Sequence, residues 1–420
     1  MRGDYHGKLR RQDTHPNLRE DDIVQGDAMK TLRVKLLAYK GAEQKVFDEG
    51  KVKLSKLLRA EYVEFVDTRP NVLFFLSGGS EHPAIEVLEQ DRFYTLLAYK
   101  EGNSYAAATE VKAYANQHGF RSTLLDIDAP QTQAFMTRFL EASAGLRRLR
   151  GQKLGLIGDV SEWLIASPLD SELLREKFRI ELTHIPWDRL PGYQSQSVSE
   201  KFLDTFHSDT FDLRDSGKVY TLLKECIRKR ALNAIAVECF SLVTKHAVTA
   251  CLPLGQFNAD GLPAGCEGDV LSTVGMMLAK ETTGMIPWLA NTVQISEKCS
   301  SFAHCTIAPT FIDDCTITTH FETGKGTAIQ GTFRADDVTL FRLNRTLDRG
   351  FLTTGTVLNR PRNGMACRTQ IELRLSPESV KALRDDPLGN HHLILPGDHT
   401  AMLSLIFRIL GIENTVASTL

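Results

Sequence analysis

No two cysteines in this 420-residue chain are spaced as Cys-x-x-Cys, and all eight lie between Cys226 and Cys367. That distribution argues against zinc fingers and against a secreted disulfide framework. The thiols are expected to be buried, reduced and to behave as small apolar groups. No apolar run approaches the roughly 20 residues of a membrane span. The polar, charged N-terminus carries no apolar core of a secretory signal. Excess charge is also missing: the net charge is -2 and the pI near 6.6, unlike the strongly basic surface of a nucleic-acid binder. A cytoplasmic protein with no membrane or nucleic-acid partner is the default expectation.

What is present is ordinary globular material, 42% apolar and 24% charged. A chain this long exceeds one simple core, so two or three domains are expected. Residues 1–28 are charged and lack apolar periodicity, as in a disordered leader or upstream extension. From 29 to 167 short apolar runs alternate with helical patterns: strands at 72–76, 93–98, 122–127 and 154–158, helices at 106–118 and 132–146. Alternation of this kind implies a parallel sheet with crossover helices. A second α/β segment covers 168–295, with a helix at 218–229 feeding a strand at 232–237. Beyond 296 the runs turn short and Thr-rich, at 315–321, 328–333, 338–343, 352–358 and 367–375. Gly or Asp turns separate them, the texture of an antiparallel sheet or barrel. A closing helix is read at 401–410. The expected fold is therefore α/β: two Rossmann-like domains, then a C-terminal antiparallel, barrel-like domain over 296–420.

Chemistry concentrates between Leu232 and Gly284. The strand 232–237 stops at Glu238, a loop follows, and Glu267-Gly268-Asp269 opens a helix of apolar period that Gly284 closes. Ligands of open α/β sheets bind at strand ends and the loops beyond them. Three carboxylates with no basic neighbour in sequence suit a cation better than a salt-bridge network. Individually each has a plainer reading, Asp269 as an N-cap and Glu238 as a solvated strand end. Histidines follow at His304 and at His391-His392 after Gly389-Asn390, with His399 later. Carboxylates joined by histidines make a mixed O/N site suited to manganese, whose open positions can take sugar hydroxyls. The loop Ser77-Gly78-Gly79-Ser80-Glu81 follows a strand and offers backbone amides to an anion or to hydroxyls. It lacks the lysine of a P-loop and the dinucleotide spacing. Gly155-x-x-Gly158-Asp159, followed by Ser161-Glu162-Trp163, is a second strand-then-loop without nucleotide character.

Glu267-Gly268-Asp269 leading into a Met-containing helix that ends at Thr283-Gly284 resembles the metal-site segment of the L-fucose isomerases. Gly389-Asn390-His391, with the apolar strand and helix behind it, resembles their C-terminal segment. Phe302-Ala303-His304-Cys305 is similar to a stretch of the related L-arabinose isomerases. The resemblance implies Glu238, Asp269 and His391 as metal ligands, with Glu267 and His304 close by as metal or substrate contacts. It implies Mn²⁺ or another divalent cation, and Glu238 and Asp269 as base and acid in an aldose–ketose interconversion through an ene-diol. It implies a homo-oligomer, trimer or hexamer, with shared sites; substrate contacts are expected from Ser77, Gly78, Gly79, Ser80 and Glu81, whose position suggests binding across a subunit interface, and from Trp163 and His392. The chain is far shorter than fucose isomerases proper. It therefore looks like a compact fucose isomerase-like member, a group whose substrates include sulfonated sugars. An epimerase or aldolase-like reaction, or a non-catalytic sugar-binding role on the same scaffold, stays open on the residues alone.

Overall fold

Val72-Leu73-Phe74-Phe75 contains no polar residue because both faces of the strand it forms are covered. Such unbroken runs mark the interior of a parallel sheet, and a computed structural model, which describes residues 30–416, places this one at the middle of the first sheet. The leader expected at 1–28 lies outside the described residues. Chain order in the first unit is β1 (Leu32–Leu37), α1 (Gln44–Ser55), β2 (Val63–Phe65), β3 (Val72–Phe75), α2 (Glu81–Ile85), β4 (Phe93–Ala98), α3 (Ser104–Gln117), β5 (Arg121–Asp126) and α4 (Pro130–Arg148). The strands are parallel in the order β2-β1-β3-β4-β5. The Ser77–Glu81 loop leaves β3 beside the point where that order reverses, the usual ligand crevice of an open α/β sheet.

The second sheet is built from β6 (Lys153–Ile157), α5 (Ser171–Phe178), β7 (Glu181–Ile185), α6 (Glu200–Thr205), α7 (Arg214–Arg230), β8 (Ala234–Val237), α8 (Phe240–His246), α9 (Cys251–Ala259), β9 (Ala264–Cys266) and α10 (Val270–Thr283). Its parallel order is β7-β6-β8-β9. Strand β6, which the sequence grouped with the first unit, thus belongs to the second sheet. The loop expected after Glu238 is in fact two helices. Helix α9, Cys-Leu-Pro-Leu-Gly-Gln-Phe, is buried on every side, so it shows no amphipathic period by which to recognise it.

The remainder comprises β10 (Trp288–Gln294), β11 (Ser300–His304), β12 (Ile312–Thr318), β13 (Ala328–Phe333), β14 (Asp337–Leu343), β15 (Arg349–Asn359), β16 (Thr369–Arg374), α11 (Pro377–Asp385), β17 (His391–Pro396), α12 (Thr400–Leu410) and β18 (Glu413–Asn414). Six of the strands pair antiparallel in the order β14-β17-β10-β11-β16-β15, and β14 pairing with β15 closes the barrel. Closure removes the open edges that a sheet of this size would expose. Strands β12 and β13 form a separate hairpin. Strand β10, grouped by sequence with the central segment, is a barrel stave.

Helix α10 holds the three parts together. It touches α4 of the first unit, β8 and β9 of the second sheet, β14 and β17 of the barrel, and α12. Val274, Met276, Met277, Leu278 and Ala279 are all 0% exposed, and each of the larger ones contributes roughly 1.5–3 kcal/mol by leaving water. Its N-terminus is thereby fixed where second sheet and barrel meet. No described helix is long and apolar enough to cross a membrane. Cys226, Cys239, Cys251, Cys266, Cys305 and Cys367 are buried free thiols, Cys299 is partly covered, and Cys315 is exposed.

Candidate metal centre and adjoining cleft

The turn from β9 into α10 is where the chemistry gathers. Glu267 and Gly268 both take left-handed backbone, φ 58° and 66°. For a glutamate that conformation costs about 1–2 kcal/mol, and strain of this kind persists where surrounding structure enforces it. Here the Glu267 carbonyl accepts from the Ser161 amide (3.0 Å), and the Gly268 amide donates to the Val237 carbonyl (2.9 Å). A Cβ on Gly268 would stand 2.2 Å from the Asp159 carbonyl oxygen, so only glycine fits. The turn swings the Glu267 side chain toward the barrel rim, where His304 ends β11 and His391 begins β17.

Glu267 Oε1 lies 3.6 Å from His304 Nε2 and 3.6 Å from His391 Nε2. One ligand atom from each of these three residues falls within 4.8 Å of the others. All three are buried, His391 completely, yet neither Nε2 has a hydrogen-bond partner. Buried polar atoms left unpaired cost about 1–3 kcal/mol each. Two such nitrogens aimed at one carboxylate could hold a divalent cation, and the residues fit that group. Burial opposes ionisation of Glu267, but the two imidazoles outweigh it and hold the carboxyl well below the usual range. Burial likewise opposes charge on His391, yet Asp269 and Glu267 raise it to about 9.

Asp269 sits behind this set. Its Oδ2 is 2.8 Å from His391 Nδ1 and accepts from the Ser272 hydroxyl (2.7 Å), while Oδ1 accepts the Ser272 amide (2.9 Å). It is thus the N-cap of α10 and the orienting partner of His391 at once, and burial notwithstanding, His391 keeps its carboxyl ionised below the normal value. Once the ring gives up its Nε2 proton, the one kept on Nδ1 and directed at Asp269 leaves the Nε2 lone pair facing Glu267, the arrangement typical of metal-binding histidines. His304 is less firmly set. Its Nδ1 accepts the Cys305 amide at 2.9 Å, which places a neutral ring's proton on Nε2, while the Thr306 hydroxyl at 3.0 Å can donate or accept and selects neither tautomer.

The converging set therefore differs from the expected Glu238, Asp269 and His391. Glu267 and His304 join His391, and Asp269 supports from behind because Oδ2 is already committed to Nδ1. Glu238, half-buried at the end of β8, is not among the three. Its Oε1 accepts the Ser241 amide (3.0 Å) at the start of α8, and its Oε2 faces Trp187 Nε1 (3.3 Å). It lines a cleft of about 440 Å³ with Gly158, Trp163, Trp187, Phe240 and Lys245. Trp163 connects cleft and cluster: it lines the former, and its indole N–H donates to Glu267 Oε2 at 2.5 Å. Phe240 lies edge-on to both Trp163 (4.6 Å) and His320 (5.6 Å).

Other expected contacts lie elsewhere. His391 and His392 are consecutive in β17, so their side chains leave on opposite faces. His392 packs against Phe302 and Phe351, and burial, aided by Arg342, lowers it to about 3. That places it among hydrophobic barrel residues as a neutral imidazole. In the Ser77–Glu81 loop, Ser77 Oγ accepts the Tyr39 amide, Ser80 Oγ donates to the Ser77 carbonyl, and Gly78 bonds Gly102. None of these contacts reaches the cluster. Trp187, Ser167, Thr306, Phe240 and Arg342 escaped the sequence reading, since nothing in their spacing marks them.

No protein-family model matches the chain. It is similar to the sulfoquinovose isomerases of Priestia aryabhattai and Priestia megaterium, 23% identical over 323 residues that make up 72% of this chain and 72% of each relative. It is also similar to the sulfoquinovose isomerase of a Clostridium species, 20% identical over 317 residues, 69% of this chain and 70% of that protein.

Proposed function

We propose that the protein is a divalent-metal-dependent aldose–ketose isomerase of a modified hexose, with sulfoquinovose, which carries a sulfonate, as the first candidate. One observation carries the reading: a carboxylate and two buried imidazoles converge with unpartnered Nε2 atoms. The similarity to sulfoquinovose isomerases supports the sugar chemistry. Glu267, His304 and His391 would hold the ion. One carboxylate with two imidazoles suits Mn²⁺ better than Ca²⁺ or Mg²⁺, which prefer oxygen throughout. The bound ion supplies Lewis-acid polarisation of the sugar carbonyl.

The chain's own residues account for the rest. Glu238 faces the cleft with both oxygens held in place, and it takes the proton from C2 of the aldose and returns it to C1. A hydroxyl proton moves from O2 to O1 in the same exchange, so the ene-diol closes to the ketose with no external electron carrier. Trp163 and Phe240 offer apolar faces to the C–H side of a sugar ring. The Trp187 indole N–H, 3.0 Å from the Glu238 carbonyl, keeps strand end and base together. A homo-oligomer with shared sites, as the resemblance implies, belongs to the same reading. The exposed Trp163 (53%) in the cleft wall and the exposed Ile165 (80%), two residues on in the chain, support it.

The test is isotopic. Metal-free protein is reconstituted with Mn²⁺ and incubated with sulfoquinovose and plain aldoses in D₂O, and NMR follows deuterium at C1 and C2. Mn²⁺-dependent label accompanied by ketose is the expected result. Bound Mn²⁺ with no exchange on any sugar overturns the isomerase reading, and failure to bind a divalent ion overturns the metal centre.

A further inference from the structure

Arg342 is the largest fully buried side chain of the described residues, 2% exposed and one residue before the end of barrel strand β14. A guanidinium there has lost its water and demands compensation. Its partners are few. Nη1 donates to the backbone carbonyl of His391, Nη2 donates to Ser167 Oγ at 3.1 Å, and Nε has none. The Ser167 hydroxyl, having accepted from Arg342, faces Asp269 Oδ2 at 3.4 Å. Asp269 in turn holds His391 Nδ1 at 2.8 Å. The contacts close a ring: Arg342 grips the main chain of His391 with one nitrogen and reaches its imidazole, through Ser167 and Asp269, with the other.

We infer that Arg342, bridged by Ser167, is a positioning residue that fixes His391 as a metal ligand by holding both its backbone and the Asp269 carboxylate that orients its ring. Three features separate this from generic core filling. Arg342 makes no ion pair of its own among the described residues, so Asp269 is the anion its charge is set against. The planar fork gives each of its two targets a nitrogen of its own, in a fixed geometry that a flexible, point-charge lysine head lacks. The chain has also made room for it: Gly389 has φ 143°, and a Cβ there would sit 2.2 Å from Arg342 Nη2. The glycine of Gly389-Asn390-His391 is thus explained by the guanidinium that lies against it.

The inference rests on the metal centre proposed above, and Mn²⁺ itself serves as probe. Calorimetric titration of metal-free full-length protein compares wild type with Arg342→Met, Arg342→Lys and Ser167→Ala. Removing a partner behind a ligand typically costs 10–100-fold in affinity. That loss is expected for Arg342→Met, with a smaller one for Ser167→Ala and partial recovery for Arg342→Lys. The visible spectrum of the Co²⁺-loaded variants should shift with the altered ligand geometry. Wild type binding Mn²⁺ while folded Arg342→Met binds equally well, with an unchanged Co²⁺ spectrum and only a lower melting temperature, overturns the inference and leaves the metal centre standing. Should Arg342→Met not fold, Ser167→Ala and Arg342→Lys both matching wild type overturn it equally. Wild type that binds no Mn²⁺ overturns the metal centre itself, and the inference with it.

Discussion

Asp269→Asn isolates the tautomer argument from everything else at the site. Volume is unchanged, and asparagine caps a helix about as well as aspartate, so the bond to the Ser272 amide (2.9 Å) survives. At the other oxygen an NH₂ group replaces the acceptor that faces His391 Nδ1 at 2.8 Å. Serine hydroxyls can rotate to accept from it, but the imidazole can only do so by giving up the Nδ1 proton. A neutral ring then carries its proton on Nε2, the nitrogen directed at Glu267. Keeping the metal-binding tautomer instead forfeits a charge-assisted hydrogen bond of about 1.5–3 kcal/mol, or roughly 10–100-fold in affinity. A second effect runs the other way. In the metal-free wild type His391 titrates at about 9, so Mn²⁺ must displace a proton at neutral pH, and affinity rises about tenfold per pH unit up to that value. Losing the Asp269 charge relieves this competition in the variant. The assay is therefore Mn²⁺ titration from pH 6.5 to 9 under nitrogen. Wild type should climb steeply, the variant should flatten early, and the plateaus should differ by the full 10–100-fold. Parallel curves with plateaus within a factor of two would refute the reasoning, and abolished binding at every pH would make Asp269 a ligand, as the family resemblance implies.

Glu238→Gln should cut sugar proton exchange by about 10²–10⁴-fold, the usual contribution of a general base, while Mn²⁺ affinity stays at the wild-type value; a parallel loss of metal would move Glu238 into the ligand set. The metal-free protein should lose stability as pH rises from 6.5 toward 9, because a folded pKa raised above 6.5 stabilises fully below the unfolded value and that contribution fades through the folded one. Glu267 and Asp269, both depressed, act oppositely, losing their contribution as pH falls below 4.5, so thermal scans should show a maximum near pH 5–6, and a melting temperature still rising from pH 7 to 9 would contradict this. Gly268→Ala places a methyl against the Asp159 carbonyl in left-handed backbone and should destabilise by roughly 2–4 kcal/mol, read by calorimetry as a lower melting point; an unchanged one would mean the turn is looser than its contacts indicate.

The parts of this molecule that sequence exposed are those whose chemistry is local. Runs such as Val72–Phe75 and helix α10 carry their burial in composition, and the successive Thr-rich strands show their turns, so both α/β sheets and the barrel were legible in outline. The acidic turn and the His391 segment were legible because carboxylates before an apolar helix, and histidines at a strand end, are rare without a purpose. Roles within that set were not, because they depend on which face each atom presents. Glu267 and Asp269 are two residues apart, yet the left-handed pair Glu267–Gly268 turns one toward the histidine Nε2 atoms and leaves the other on Nδ1. His391 and His392 are adjacent, yet the pleat sends one to the cluster and the other among phenylalanines. Arg342 and Ser167 had no local signal at all: an arginine in a barrel strand reads as an outward-facing charge, and a serine in a loop reads as solvent contact. Only closure of the barrel onto the N-terminus of α10 brings residues 175 positions apart within hydrogen-bond reach. The candidate ligand residues are thus written in short motifs, and the arrangement that brings them together is written in the tertiary fold. A search for this centre in other chains should therefore weigh a buried arginine facing the Gly-Asn-His turn as heavily as the motif itself.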